Sequence, residues 1–170
     1  MTQYSFQGYD GKTMTRVVGK NLKISAKKSY EVANFIRGKN VNVALNDLKL
    51  VVEEKLAVPY RRYTWNVSHK RGIGQGKYPR NVSIAVAKLI DSLKANAKEK
   101  GMDEKKLTII HAAVHKGARI QHNGRNRGVR KNAHFELVAK EIEKKKKDDK
   151  KIVAEKPETN LKVNTGAKSQ

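Results

Sequence analysis

Cysteine is absent from all 170 residues, so disulfide staples and thiolate zinc sites are excluded and stability must come from packing, with or without a partner. No apolar run approaches the roughly 18 to 20 residues that cross a bilayer, and the N-terminus lacks the apolar stretch of a signal peptide. A cytosolic protein with no membrane partner is expected. The most telling scarcity is acid. Between Glu54 and Asp91 there is none, against eight bases (Lys55, Arg61, Arg62, Lys70, Arg71, Lys77, Arg80, Lys88). Between Glu104 and Glu136 there is again none, against Lys105, Lys106, Lys116, Arg119, Arg125, Arg127, Arg130 and Lys131. Over the whole chain 38 Lys and Arg face 16 acids, a formal charge of +22. Clustered like charge repels itself and strains a compact state, so this composition calls for a polyanion, with nucleic acid as the first candidate.

With 38% hydrophobic residues and apolar patterning confined to the middle of the chain, one domain over residues 17–140 is expected. Residues 1–16 read as an extended arm. Residues 141–170, with nine Lys against six acids and little patterned hydrophobicity, read as a disordered Lys-rich tail in which the 144–151 run is a solvated face. Within the domain a short strand falls in 17–24. Ser25 is placed to cap a first helix that carries Tyr30, Val32, Ala33, Phe35 and Ile36 and stops at Gly38. Val41, Ala44, Leu45, Leu48, Val51 and Val52 form the stripe of a second helix. A third, starting near Pro79 or Asn81 and ending before Gly101, carries Val82, Ala85, Val86, Leu89, Leu93 and Ala97. The β-branched stretch 107–114 and the apolar run 135–138 read as two antiparallel strands.

Two segments have no core to offer. Residues 58–79 read as a long irregular loop in which Tyr60, Tyr63, Trp65 and Tyr78 interleave with basic residues and glycines, and long loops in small domains are usually functional. Tyr60 and Trp65 would either pack on the helices or face a ligand. Residues 116–132 hold six bases, three glycines and the tight-turn step Asn123-Gly124, and read as a basic two-stranded ribbon. Such a ribbon is marginal in water without support.

The chemistry-bearing residues favour binding over catalysis. GIGQGK at 72–77 fails as a phosphate loop, because Arg71 and Tyr78 stand where glycine and Ser or Thr are required. Among the histidines only His111 and His115 have metal-like spacing, and no carboxylate or cysteine accompanies them in sequence. His111 and His134 are expected to pack within the strand pair; His115 and His122 are expected at phosphates or base edges. Glu31, Asp47, Glu53 and Glu54 sit at helical positions that suit exposure or pairing with Lys. No catalytic residue, metal or cofactor is expected. The expected RNA-binding set is Arg61, Arg62, Tyr63, Trp65, Lys70, Arg71, Lys77, Arg80, His115, Lys116, Arg119, His122, Arg125, Arg127, Arg130 and Lys131, since arginine binds phosphate with paired bonds and aromatics stack on unpaired bases. A free-standing RNA-binding or RNA-chaperone protein would use the same set.

The order ISAKKSYEVANFIRGK from Ile24, VPYRRY from Val58, GKYPRNVS from Gly76, LKANAKEKGMD from Leu93 and IIHAAVHKGARI from Ile109 resembles the universal large ribosomal subunit protein 22 family in its archaeal and eukaryotic form. The resemblance implies an α/β (α+β) domain with three helices packed on a small antiparallel sheet and a long protruding basic β-hairpin at 116–131. It further implies a structural constituent of the large subunit, acting in the cytoplasm on large-subunit rRNA, beside neighbouring ribosomal proteins. In this family the hairpin tip, here Gln121, His122, Asn123, Gly124, Arg125, Asn126 and Arg127, faces the polypeptide exit tunnel and the nascent polypeptide. Relatives carry about six more residues in this interval, so at about 3.3 Å per strand residue the reach here would be shorter by roughly 10 Å.

Overall fold

The computed structural model describes residues 4–142; the Lys-rich tail expected from 141 onward lies, apart from its first two residues, outside them. Three strands make the main sheet: β1 (Met14–Leu22), β5 (Leu107–Lys116) and β8 (Ala133–Glu141), in the order β1-β8-β5 with every pairing antiparallel. The last strand is therefore the central one. In β8, Phe135, Leu137 and Ala139 point into the cluster shared with the helices, while Glu136 and Val138 occupy the opposite face and are also buried. A strand covered on both sides need not alternate apolar with polar, which is why Leu137, Val138 and Ala139 follow one another and Glu136 is the buried exception.

Helix α1 (Ala26–Ile36) buries Val32, Ala33 and Ile36, with Ser25 at its N-cap position although the hydroxyl makes no capping bond. It stops because Gly38 takes φ +79°, a left-handed conformation that glycine adopts without penalty. The turn is then fastened to the sheet by Gly38 N–H to Ile109 O at 2.8 Å and Ile109 N–H to Lys39 O at 2.9 Å. Helix α2 (Val41–Val52) is capped by the Asn40 side chain, which accepts from Asn42 N–H, and buries Val41, Ala44, Leu48 and Val51. Helix α3 (Arg80–Glu99) opens after Pro79 and buries Val82, Val86, Ile90, Leu93 and Ala97. All three pack on one face of the sheet, the α+β arrangement expected.

Two segments differ from the sequence reading. Residues 58–79 are not irregular throughout: β2 (Val58–Pro59), β3 (His69–Lys70) and β4 (Gly74–Lys77) form a small antiparallel sheet ordered β2-β4-β3. Gly76 sits close against its neighbours there: a Cβ would lie 3.3 Å from Val58 O and displace the tip of the exposed Ile73 side chain, 2.8 Å away. The ribbon after β5 is also not a continuous ladder closed by a two-residue turn. After Gly117 N–H to Asn132 O at 3.0 Å the ladder lapses, resumes as β6 (Ile120–Gln121) against β7 (Val129–Arg130), and ends in an apex closed by His122 N–H to Gly128 O at 3.2 Å. A two-residue type I′ turn needs positive φ at both central residues, and Gly124 has it while Asn123 does not. Strand β1 begins at Met14, inside the expected arm.

Candidate nucleic-acid interface

The basic loop is held from beneath by Glu31. Expected on a solvated helix flank, this residue is 1% exposed, and the reason is its partners. One carboxylate oxygen accepts from Arg62 N–H (3.0 Å) and Tyr63 N–H (2.8 Å), the other from Arg61 N–H (3.1 Å). A buried carboxylate is tolerable when hydrogen-bond donors replace its water, and here α1 aims one into a turn with three free amides. The turn divides its side chains. Tyr60 goes inward onto Val51 and Val58, and burial, helped by the Glu31 charge, pushes its phenol up to about 12. Arg61 and Arg62 go outward to solvent.

Around that turn the aromatics and cations interleave. The Arg62 guanidinium lies 5.1 Å from the Tyr30 ring and 5.7 Å from the Tyr63 ring, and the two rings meet edge-on at 5.8 Å. Lys70 lies 5.2 Å from the Tyr78 ring. Trp65 is 87% exposed, which separates it from Tyr60 and leaves a large aromatic face with no protein to cover it. Arg71 is exposed on the β3–β4 turn, Lys77 is half-buried in β4, and Arg80 opens α3 at 3.8 Å from Glu54, a solvent-exposed pair of little strength. Because the chain has a single Trp, RNA contact is directly readable. Adding single-stranded RNA at low salt is expected to quench and shift the Trp65 emission, and an unchanged spectrum under saturating RNA would remove Trp65 from the interface.

On the hairpin, Lys116, Arg119, His122, Arg125, Arg127 and Lys131 are exposed. Arg130 is half-buried and donates from Nε to His122 Nδ1 at 3.4 Å. Asn123, Gly124 and Asn126 are exposed in the apex, whereas Gln121 belongs to β6. At the hairpin base the second acid-free window meets one residue of the first, Tyr63. A groove of about 670 Å³ is lined on one side by Lys27, Tyr30 and Tyr63 and on the other by Lys116, Arg119, Arg130 and Lys131. Sequence reasoning missed Lys27 and Tyr30 as site residues, because Tyr30 reads as part of the apolar stripe of α1 and Lys27 as an ordinary helical Lys; their i, i+3 spacing, which puts them on one face, was the available signal. Arg61, Arg62, Trp65, Lys70, Arg71, Lys77 and Arg80 do not line this groove.

A second buried carboxylate overturns the reading that no acid accompanies His111 and His115. Glu136, on the adjacent strand, lies 3.8 Å from Nε2 of each. Its oxygens accept from Ser5 N–H (3.0 Å), Ser5 Oγ–H (2.9 Å) and Phe6 N–H (3.2 Å), which ties the N-terminal segment over the back of the sheet. Phe6 then packs on the His111 ring at 5.2 Å. His115 is half-exposed beside this carboxylate, and His134 Nδ1 accepts from Asn21 N–H at 3.0 Å. Among the described residues, no set of three or more His, Cys, Asp or Glu is placed to hold a metal ion.

This latch has a defined pH dependence. Burial pushes Glu136 up, but the bonds from Ser5 and Phe6, with His111 adding to them, leave it below the ordinary 4.5. Burial likewise holds His111 below 6.5. In both cases the unfolded chain binds protons more readily, so stability is present at neutral pH and falls on acidification. The loss begins below 6.5 through His111 and is completed below 4.5 through Glu136. The Ser5 and Phe6 amide resonances are expected to move together as Glu136 protonates, with a midpoint below the ordinary 4.5. Movement centred above pH 7 would exclude Glu136 as the anchor.

Residues 17–140, the span from β1 to β8, match the model of the family described as ribosomal protein L22p/L17e. The chain is similar to the large ribosomal subunit protein uL22 of Cenarchaeum symbiosum, at 40% identity over 81% of this chain and 96% of that protein. Similarity to uL22 of Methanoregula boonei is 38% over 78% and 93%, and to uL22 of Nitrosopumilus maritimus 37% over 82% and 97%. The three-helix domain, its acid-free loops and this agreement along nearly all of each relative lead to one assignment: the chain belongs to the ribosomal protein L22p/L17e family.

Proposed function

We propose that this protein is a structural constituent of the large ribosomal subunit in the cytoplasm, binding large-subunit rRNA through the 58–79 loop and the hairpin and performing no catalysis. The observation that carries the reading is a groove in which Tyr63, from the first acid-free window, and Tyr30 and Lys27 of α1 face Lys116, Arg119, Arg130 and Lys131 of the second window. A merely solvated basic surface has no reason to be set against two aromatic rings in this way. A phosphate backbone laid across both walls would supply the counter-charge that the isolated chain lacks. Neighbouring ribosomal proteins are further partners, as membership of the family supports. The apex is expected to approach the exit tunnel and the nascent polypeptide.

If Arg61, Arg62, Arg80, Lys116, Arg119, Arg125, Arg127 and Arg130 each neutralise one phosphate, the logarithm of rRNA affinity falls against log salt with a slope of about −6 to −7. The protein should also sediment with large subunits in near one-to-one amount through moderate salt. A slope shallower than about −3, or release into the free pool with steep binding to any RNA, would replace this reading with a free-standing RNA-binding role.

A further inference from the structure

Resting on the rRNA reading above, we infer that the groove between α1 and the hairpin base seats an unpaired nucleotide, with its base stacked on Tyr63 and its flanking phosphates on the hairpin wall. The two walls differ in chemistry. Lys116, Arg119 and Lys131 offer point charges and guanidinium forks suited to phosphate. Tyr30 and Tyr63 offer π-faces, set at 88° to one another so that a base lying on one meets the edge of the other. A duplex has no use for the aromatic wall, because its base faces are already stacked on each other.

The cations beside the rings support the same occupant. Arg62 and Lys27 lie 5.7 Å and 5.8 Å from the Tyr63 centroid, and neither forms an ion pair with a carboxylate among the described residues. Lys27 lines the groove beside the ring, where a base would lie, while Arg62 stands outside the lining. A base that stacks on Tyr63 turns Lys27 outward, where it meets a flanking phosphate. The volume of about 670 Å³ falls within the range of sites that enclose small ligands and is open along the hairpin, so a strand can enter and leave.

The test compares a labelled single-stranded octanucleotide of mixed sequence with a duplex RNA, binding full-length protein at one ionic strength. Tyr63 packs beside Val51, Val58 and Tyr60, so Tyr63→Leu keeps apolar bulk while removing the ring, and Tyr63→Phe keeps the ring. Y63L is expected to weaken single-strand binding roughly tenfold and duplex binding less than twofold, with Y63F near wild type. An octanucleotide made abasic throughout should bind wild type and Y63L alike. Circular dichroism and melting show whether each variant is folded; should Y63L unfold, Y30L with the abasic comparison on wild type decides the same question. Equal loss on both RNAs, or no loss on either, overturns the seat. If wild type keeps its steep salt slope and sediments with large subunits while Y63L is neutral, the rRNA reading stands and only the groove assignment falls. If wild type ignores RNA at low salt, both fall together.

Discussion

Replacing Glu31 by alanine is expected to destabilise the protein by about 3 kcal/mol and to lower its melting temperature by roughly 10 °C, the largest effect of any exchange at a charged residue. The carboxylate is buried and takes three backbone N–H groups from Arg61, Arg62 and Tyr63. Removing it strands those donors in a site that water reaches poorly, and each unsatisfied buried donor costs about 1 to 3 kcal/mol, reduced by whatever the loop regains by opening. Glu31→Gln keeps one acceptor oxygen but turns an NH₂ toward an N–H, so it should recover only part of the loss. Function should suffer beyond stability, because the turn that throws Arg61 and Arg62 outward no longer has a fixed shape. At a temperature where both proteins are folded, Glu31→Ala is expected to bind rRNA several-fold more weakly, while Asp47→Ala, which removes only a half-exposed pair with Lys39, leaves affinity unchanged. A melting shift under about 3 °C would mean that the loop is held by something other than this carboxylate.

The case of Glu31 also marks where reading the sequence stops working. Apolar stripes were legible because burial follows helical period: Val41, Ala44, Leu48 and Val51 are the buried face of α2, and Val82, Val86, Leu93 and Ala97 of α3. Chain stops at Gly38 and Gly101 were legible for the same local reason, each having positive φ. Glu31 and Glu136 were not, since an acid on a helix flank or in a strand looks solvated unless its partners are known. Those partners are backbone amides about 30 and 131 positions away. Side chains that receive backbone N–H groups leave no pattern in composition. The same limit hid the groove: the basic residues on its hairpin wall were identifiable one by one, but Lys27 and Tyr30 became part of a site only when α1 was laid beside the hairpin base. Trp65 and Tyr60 show the converse. Both are aromatics in one loop, and only the fold decides that the first is exposed and the second is core.

Changing Arg119, Arg125, Arg127 and Arg130 together to alanine is expected to separate binding from folding more sharply than any single exchange. Arg119 just before β6 and Arg125 and Arg127 in the apex are exposed, Arg130 in β7 is half-buried with a long bond to His122, and the described residues pair none of the four with a carboxylate. Exposed substitutions of this kind usually change stability by less than about 0.5 kcal/mol each, so the far-UV spectrum and the melting curve should stay near wild type. Binding should not. If each arginine releases one counterion, four lost contacts reduce the salt slope from about −6 to −7 to about −3, and at roughly 0.1 M salt the affinity falls on the order of a thousandfold. The two changes must appear together, because both count the same phosphates. A large affinity loss with an unaltered slope would mean that the arginines act on bases or on loop shape instead. In reconstitution of the large subunit the variant should then be under-represented while remaining folded in the free pool. A collapsed circular-dichroism signal would show that the hairpin is part of what holds the domain together, contrary to buried clusters formed by the three helices, the β1-β8-β5 sheet and the Val58–Tyr60 turn.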